Sequence, residues 1–195
     1  GASSVPPTAG AAVAASPPAT GKPLTTSSVS QGDPGSSFSP GPGREAFPDA
    51  RVIAGTDTVA AITASVQKKL DAWSPKLGEN GPRTLSDIVF PIASNDRTLS
   101  LEEEEIEIVA ADGLTNRRFL WVPSLRAVVG GVLVFSGVHV WTADTQTPEQ
   151  RAAWVANLGA LAKRDPQIVI PGHLAAGAAC DASAISYTRE YLIAF

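Results

Sequence analysis

Two imidazoles, His139 and His173, and a single thiol, Cys180, are the side chains of this sequence best suited to metal binding or nucleophilic chemistry. With two histidines in all, a multi-histidine metal site cannot be complete. One cysteine excludes an internal disulfide and a thiolate cluster for metal. Cys180 stands among Ala and Gly with no adjacent cationic residue, and reads as a small buried side chain. His139 lies in a Val-His-Val-Trp run and reads as a structural residue on a strand. His173 follows Pro171 and Gly172, on the loop leaving a strand, where it is either a hydrogen-bonded turn residue or a ligand. The four glutamates 102–105 are consecutive, so their side chains diverge, and the run reads as a solvated turn. A Ser-His hydrolase is a poor fit, because Phe135-Ser-Gly137 lacks the Gly-x-Ser-x-Gly elbow.

Positioning such groups requires a folded scaffold, and 195 residues suffice for one domain with a real core. Apolar residues make up 44% and charged residues 17%, a globular composition. A net charge of −4 without a basic stripe excludes binding through phosphate neutralisation, so no nucleic-acid partner is expected. No apolar run is long enough to span a bilayer and no basic, apolar secretory start is present, which gives the expectation of a cytoplasmic protein with no membrane partner.

Residues 1–43 contain eight Pro, seven Gly and nine Ser, with Phe38 the lone aromatic and Lys22 and Asp33 the lone charges. Such a stretch buries too little apolar surface to offset its ordering entropy, and is expected to be a flexible leader or an altered first part of the fold. The folded domain is placed at 44–195. Apolar spacing through Val59, Ile62, Val66, Leu70 and Trp73, behind Asp57 as a cap, predicts a helix over 58–73. Strand-like runs at 98–101, 105–110, 118–122 and 127–135 predict an antiparallel meander. Thr147, Pro148 and Gln150 spell a helix start, with Trp154, Leu158 and Leu161 on its buried face and Asp165-Pro166 as its stop. Ile168, Val169 and Ile170 predict a compact buried strand, and a last helix is expected over 181–193. Trp73, Trp154 and Leu158 are expected core residues.

The segments Phe47-Pro-Asp-Ala-Arg-Val-Ile-Ala, Phe119-Leu-Trp-Val-Pro-Ser followed by Val128-Val-Gly-Gly, Gly137-Val-His-Val-Trp-Thr-Ala-Asp and Val169-Ile-Pro-Gly-His173, in this order, resemble the later two-thirds of metallo-β-lactamase-fold hydrolases. The resemblance covers residues 44–195. It implies an α/β fold, an αβ/βα sandwich incomplete or altered at its N-terminus, with a one- or two-zinc site where strand-end loops converge. In that family, imidazoles and carboxylates hold Zn²⁺ with one position open for a water whose pKa falls to about 7, and the resulting hydroxide attacks a carbonyl or phosphoryl centre.

The resemblance carries over only part of the ligand set. Aligning Leu24-Thr-Thr with the strand before the family's His-x-His-x-Asp-His motif puts Gln31, Gly32, Asp33, Pro34, Gly35 and Ser36 in its place, and Asp33 is the one candidate ligand there. The middle histidine falls near Ala111, with Asp112 beside it, and the bridging Asp at Val132. His173 matches the last ligand, and His139 is an extra histidine near the same edge. The metal candidates are therefore His173, Asp33 and His139, with Asp112 or Asp144 as helpers. What this implies is a hydrolase-like protein with a largely lost zinc site and weak or no activity, on an ester, lactone or β-lactam-like substrate if active. The alternatives are a non-catalytic binding module, with Trp121, Trp141 and Phe135 lining the former pocket, and an engineered or truncated derivative of the fold. Sheet edges left uncovered by poor first strands would favour a homo-oligomer.

Overall fold

A computed structural model describes residues 51–195 of the chain, so the expectations for residues 1–43, for the boundary at 44 and for Asp33 lie outside the described residues. Two short strands, β1 (Ile53–Ala54) and β2 (Ile92–Ala93), pair in parallel. Between them runs helix α1 (Thr56–Leu77), which buries Thr58, Ile62, Val66 and Leu70 at the four-residue spacing of one helix face. The helix is longer at both ends than its apolar pattern predicts. Asp57 does not cap it: Gly55 occupies the cap position, and Asp57 sits in the first turn with its carboxylate on Arg118 at 2.7 Å and on the Asn116 N–H at 3.3 Å. Trp73 is half-buried under the Lys76 ammonium at 4.7 Å and lies outside the core, contrary to its apolar spacing.

The main sheet has five strands in the order β3-β4-β5-β6-β7: β3 (Thr98–Leu101), β4 (Glu104–Ala110), β5 (Arg118–Val122), β6 (Ala127–Ser136) and β7 (Ile168–Leu174). Strands β3 to β6 form the expected antiparallel meander, with Ile108 opposite Leu120 and Leu120 opposite Val129. Of the four glutamates, Glu102 and Glu103 make the turn, Glu102 at φ +55°, while Glu104 and Glu105 open β4 on exposed positions. Strand β7 returns parallel to β6 after a crossover that contains helix α2 (Pro148–Ala162). A parallel neighbour demands such a connection, because both strands must start from the same end of the sheet.

Helix α2 begins as its sequence dictates. The Thr147 hydroxyl accepts from the Gln150 N–H at 3.2 Å, the Gln150 side chain accepts from the Thr147 N–H at 3.2 Å, and Pro148 takes the first helical position, where no N–H is required. It ends at Ala162, ahead of the Asp165-Pro166 stop. Its fully buried Trp154, Leu158 and Leu161 pack with Ala184, Ile185 and Leu192 of helix α3 (Ser183–Ala194) against Phe119, Trp121, Val128 and Val169 of the sheet. Leu120 is 4% exposed yet outside that cluster, so β5 is covered at this residue on its second face as well.

Strand β7 is less buried than its Ile-Val-Ile run suggests. Val169 and Pro171 face the core, whereas Ile168 and Ile170 are 41% and 38% exposed, the alternation of a strand covered on one face. Cys180 is exposed, correcting its reading as a buried side chain, because it lies on the irregular connection between β7 and α3. Among the described residues no helix is long and apolar enough to cross a membrane.

Candidate functional site

Antiparallel pairing brings the end of β4, the start of β5 and the end of β6 to one edge of the sheet, and the parallel β7 adds its own end there. His173 belongs to β7 itself, not to a loop beyond it, and is in register with Phe135 of β6. Their rings stack with centroids 4.8 Å apart and planes within 16°. Phe135 is a firm platform: it is 2% exposed and its ring leans on Trp154 at 6.2 Å. The buried Thr188 hydroxyl accepts from the Phe135 N–H at 2.9 Å and lies 2.9 Å from its carbonyl. Against this part of β7, β6 carries extra residues: Gly131 pairs with Pro171 and Phe135 with His173, so four steps on β6 match two on β7. Gly131, at φ +50°, takes the left-handed conformation that this departure needs.

The segment 137–147 leaves β6 at the same edge, beginning with Gly137 at φ +69°. His139 is on this irregular segment, exposed, and not on the strand its neighbours suggest. Its Nδ1 lies 3.1 Å from the Tyr191 hydroxyl, with the rings edge to face, and Tyr187 donates to the Val138 carbonyl at 2.9 Å. Val140 returns to the core at 5% exposure, and Trp141 turns outward at 48%. Farther along, Asp144 pairs with Arg117 at 2.7 Å, Thr145 is buried, and Arg151 donates to the Gln146 carbonyl at 2.7 Å.

The fold thus carries His139 and His173 to the same end of the β6–β7 pair. The helper carboxylates are otherwise committed or turned away: Asp144 holds Arg117, and Asp112 is exposed, with its backbone N–H and C=O both bonded to Asn157. Ala111 and Val132, near which the sequence resemblance leads one to expect a histidine and a bridging Asp, are 4% and 6% exposed. Among the described residues no three His, Cys, Asp or Glu side chains come together to hold a metal, so these residues alone do not fit a zinc shell. Of the three aromatics expected to line a pocket, Trp121 and Phe135 are core residues and Trp141 faces solvent. Sequence reasoning missed Arg117 and Tyr191. A basic residue in a loop carries no sign of burial, and Tyr191 meets His139 only through the docking of α3.

No protein-family model matches the sequence, and no curated protein does. Solved structures do match. A metallo-beta-lactamase from Pontibacter korlensis superposes with a TM-score of 0.54 at 18% identity, over 77% of this chain and 62% of that one. A metallo-beta-lactamase family protein from Thermus thermophilus gives a TM-score of 0.49 at 15% identity, over 74% of this chain and 53% of that one. The chain therefore spans less than two-thirds of either structure's length. Together with a meander, a helical crossover to a parallel strand and a Pro-Gly-His segment at the sheet's edge, the first superposition shows that this chain has a metallo-β-lactamase fold.

Proposed function

We propose that this chain is a hydrolase-like protein of the metallo-β-lactamase superfamily in which the zinc site is largely lost, so that hydrolysis of ester, lactone or β-lactam-like substrates is weak or absent. The observation that carries the reading is the state of Ala111 and Val132. Both are buried apolar residues at or next to positions where the family resemblance calls for metal donors, and neither side chain has a donor atom. His173, the aligned last ligand, supports its place in the superfamily through its position at the end of β7. A bound zinc would supply a Lewis acid and a hydroxide nucleophile, but an underfilled shell loses both affinity and the fixed water. The test is metal content by mass spectrometry after purification without chelator, with and without added Zn²⁺. Less than one tightly bound zinc per chain is expected. Near-stoichiometric zinc abolished by His173→Ala would overturn the reading.

A second reading, a binding module without catalysis, is favoured by Trp141, which stands 48% exposed on a segment tethered at several points. Saturable binding of a small ester or lactone without turnover, weakened by Trp141→Ala, would select it over the first.

A further inference from the structure

We propose that Arg117 and Asp144 form the positioning pair for Trp141. The inference deepens the binding reading and rests on it for its functional meaning, while its geometry needs no ligand or metal. The Arg117 side chain is 3% exposed, its guanidinium lies 3.9 Å over the Trp154 ring, and it donates to Asp144 Oδ1 at 2.7 Å. Trp154 is fixed in turn, fully buried with its indole N–H on the Leu133 carbonyl at 2.9 Å. A desolvated cation is costly unless paired, so the Asp144 carboxylate is held at the Arg117 guanidinium.

Trp141 lies between two sets of anchors on that segment. On one side Tyr187 holds the Val138 carbonyl and Val140 is buried. On the other, a turn closed by the Thr145 N–H on the Thr142 carbonyl at 3.0 Å leads from Asp144 to the carbonyls held by Arg151. The Trp141 ring is half in solvent, so the backbone on either side sets its pose. The Arg117–Asp144 pair, with its guanidinium buried and its carboxylate partly exposed, is the ion-pair anchor on the distal side, and it ties the segment to the start of β5 and to α2 at once.

The experiment uses the ¹⁵N-labelled full chain, whose four tryptophans give four indole N–H signals, with Trp141→Phe to assign one of them. Asp144→Asn should move the Trp141 signal, leave that of Trp73 on α1 in place, and accelerate amide exchange across 139–146 about tenfold or more. Asp144→Glu, which keeps the carboxylate, should restore the wild-type signal. Arg117→Met removes the buried charge along with the anchor and should loosen the same residues in a folded protein. A Trp141 signal unmoved in both disrupting variants would overturn the proposal. So would Trp73 and Trp141 moving together, or both variants failing to fold, since the pair would then serve the whole core. Because no ligand enters the measurement, these outcomes are independent of whether Trp141 binds one.

Discussion

Gly172 lies so close to Gly131 across the β6–β7 pair that a methyl group on Gly172 would fall well inside 3.0 Å of the Gly131 backbone. Backbone cannot swing aside as a flexible side chain does. Gly172→Ala should therefore cost about 1–3 kcal/mol or more by forcing the strands apart, and should disturb the stacking of His173 on Phe135. Urea denaturation gives the first effect and the His173 ring NMR shift the second. Gly159 is the control: it sits within α2 with open space where a Cβ would point, so Gly159→Ala should stabilise by about 0.5–1 kcal/mol.

Trp154 joins the sheet, α2 and the Arg117 charge in one fully buried side chain. Trp154→Ala should lower stability by about 3–5 kcal/mol through the cavity left behind. A denaturation midpoint that barely moved would mean that α2 does not pack there.

Asp57 ties α1 to the sheet through Arg118. Burial pushes its pKa up, but the hydrogen bond from Arg118, the Thr58 and Asn116 N–H groups and the Arg118 charge together hold it below the ordinary 3.8. A lowered carboxyl pKa gives stability that is present above the unfolded value and lost as pH falls through the folded one. Wild-type stability should thus decline below about pH 4, and Asp57→Asn should flatten that decline. Some slope will remain, because Asp87 is also lowered, by the N–H groups of Arg83 and Thr84. Urea midpoints measured across the acid range check both statements.

Cys180 is exposed in the folded chain, so a thiol reagent should modify one equivalent under native conditions at close to the rate seen in denaturant. Marked protection in the native state would show that the connection before α3 is packed down.

Local patterns were legible where local chemistry decides the outcome. Thr147 and Gln150 satisfy each other's backbone within one turn, and the β3–β6 meander needs only neighbouring strands and short turns. What could not be read depends on partners distant in the chain. Trp73 continues an apolar spacing but runs past the surface that α1 covers, and the Ile168-Val169-Ile170 run hides that only one face of β7 is covered. For the candidate site, the Pro-Gly-His run set His173 at the end of the Ile168–Ile170 strand, and β7 does carry it there. The commitment of Asp144 to a buried Arg117 came from packing between residues 27 positions apart, which leaves no periodic trace.

The sheet follows the chain order without a jump, yet its pairings differ in what they require of an unfolded chain. Each antiparallel pair from β3 to β6 closes across a short connection, whereas β7 can find β6 only after residues 137–167 have been folded back over the sheet. Closing a longer loop costs more entropy before any contact compensates it. Among the described residues, the edge that carries His139, Trp141 and His173 is therefore expected to assemble later than the meander. Refolding followed at His173 should lag behind refolding followed at the meander.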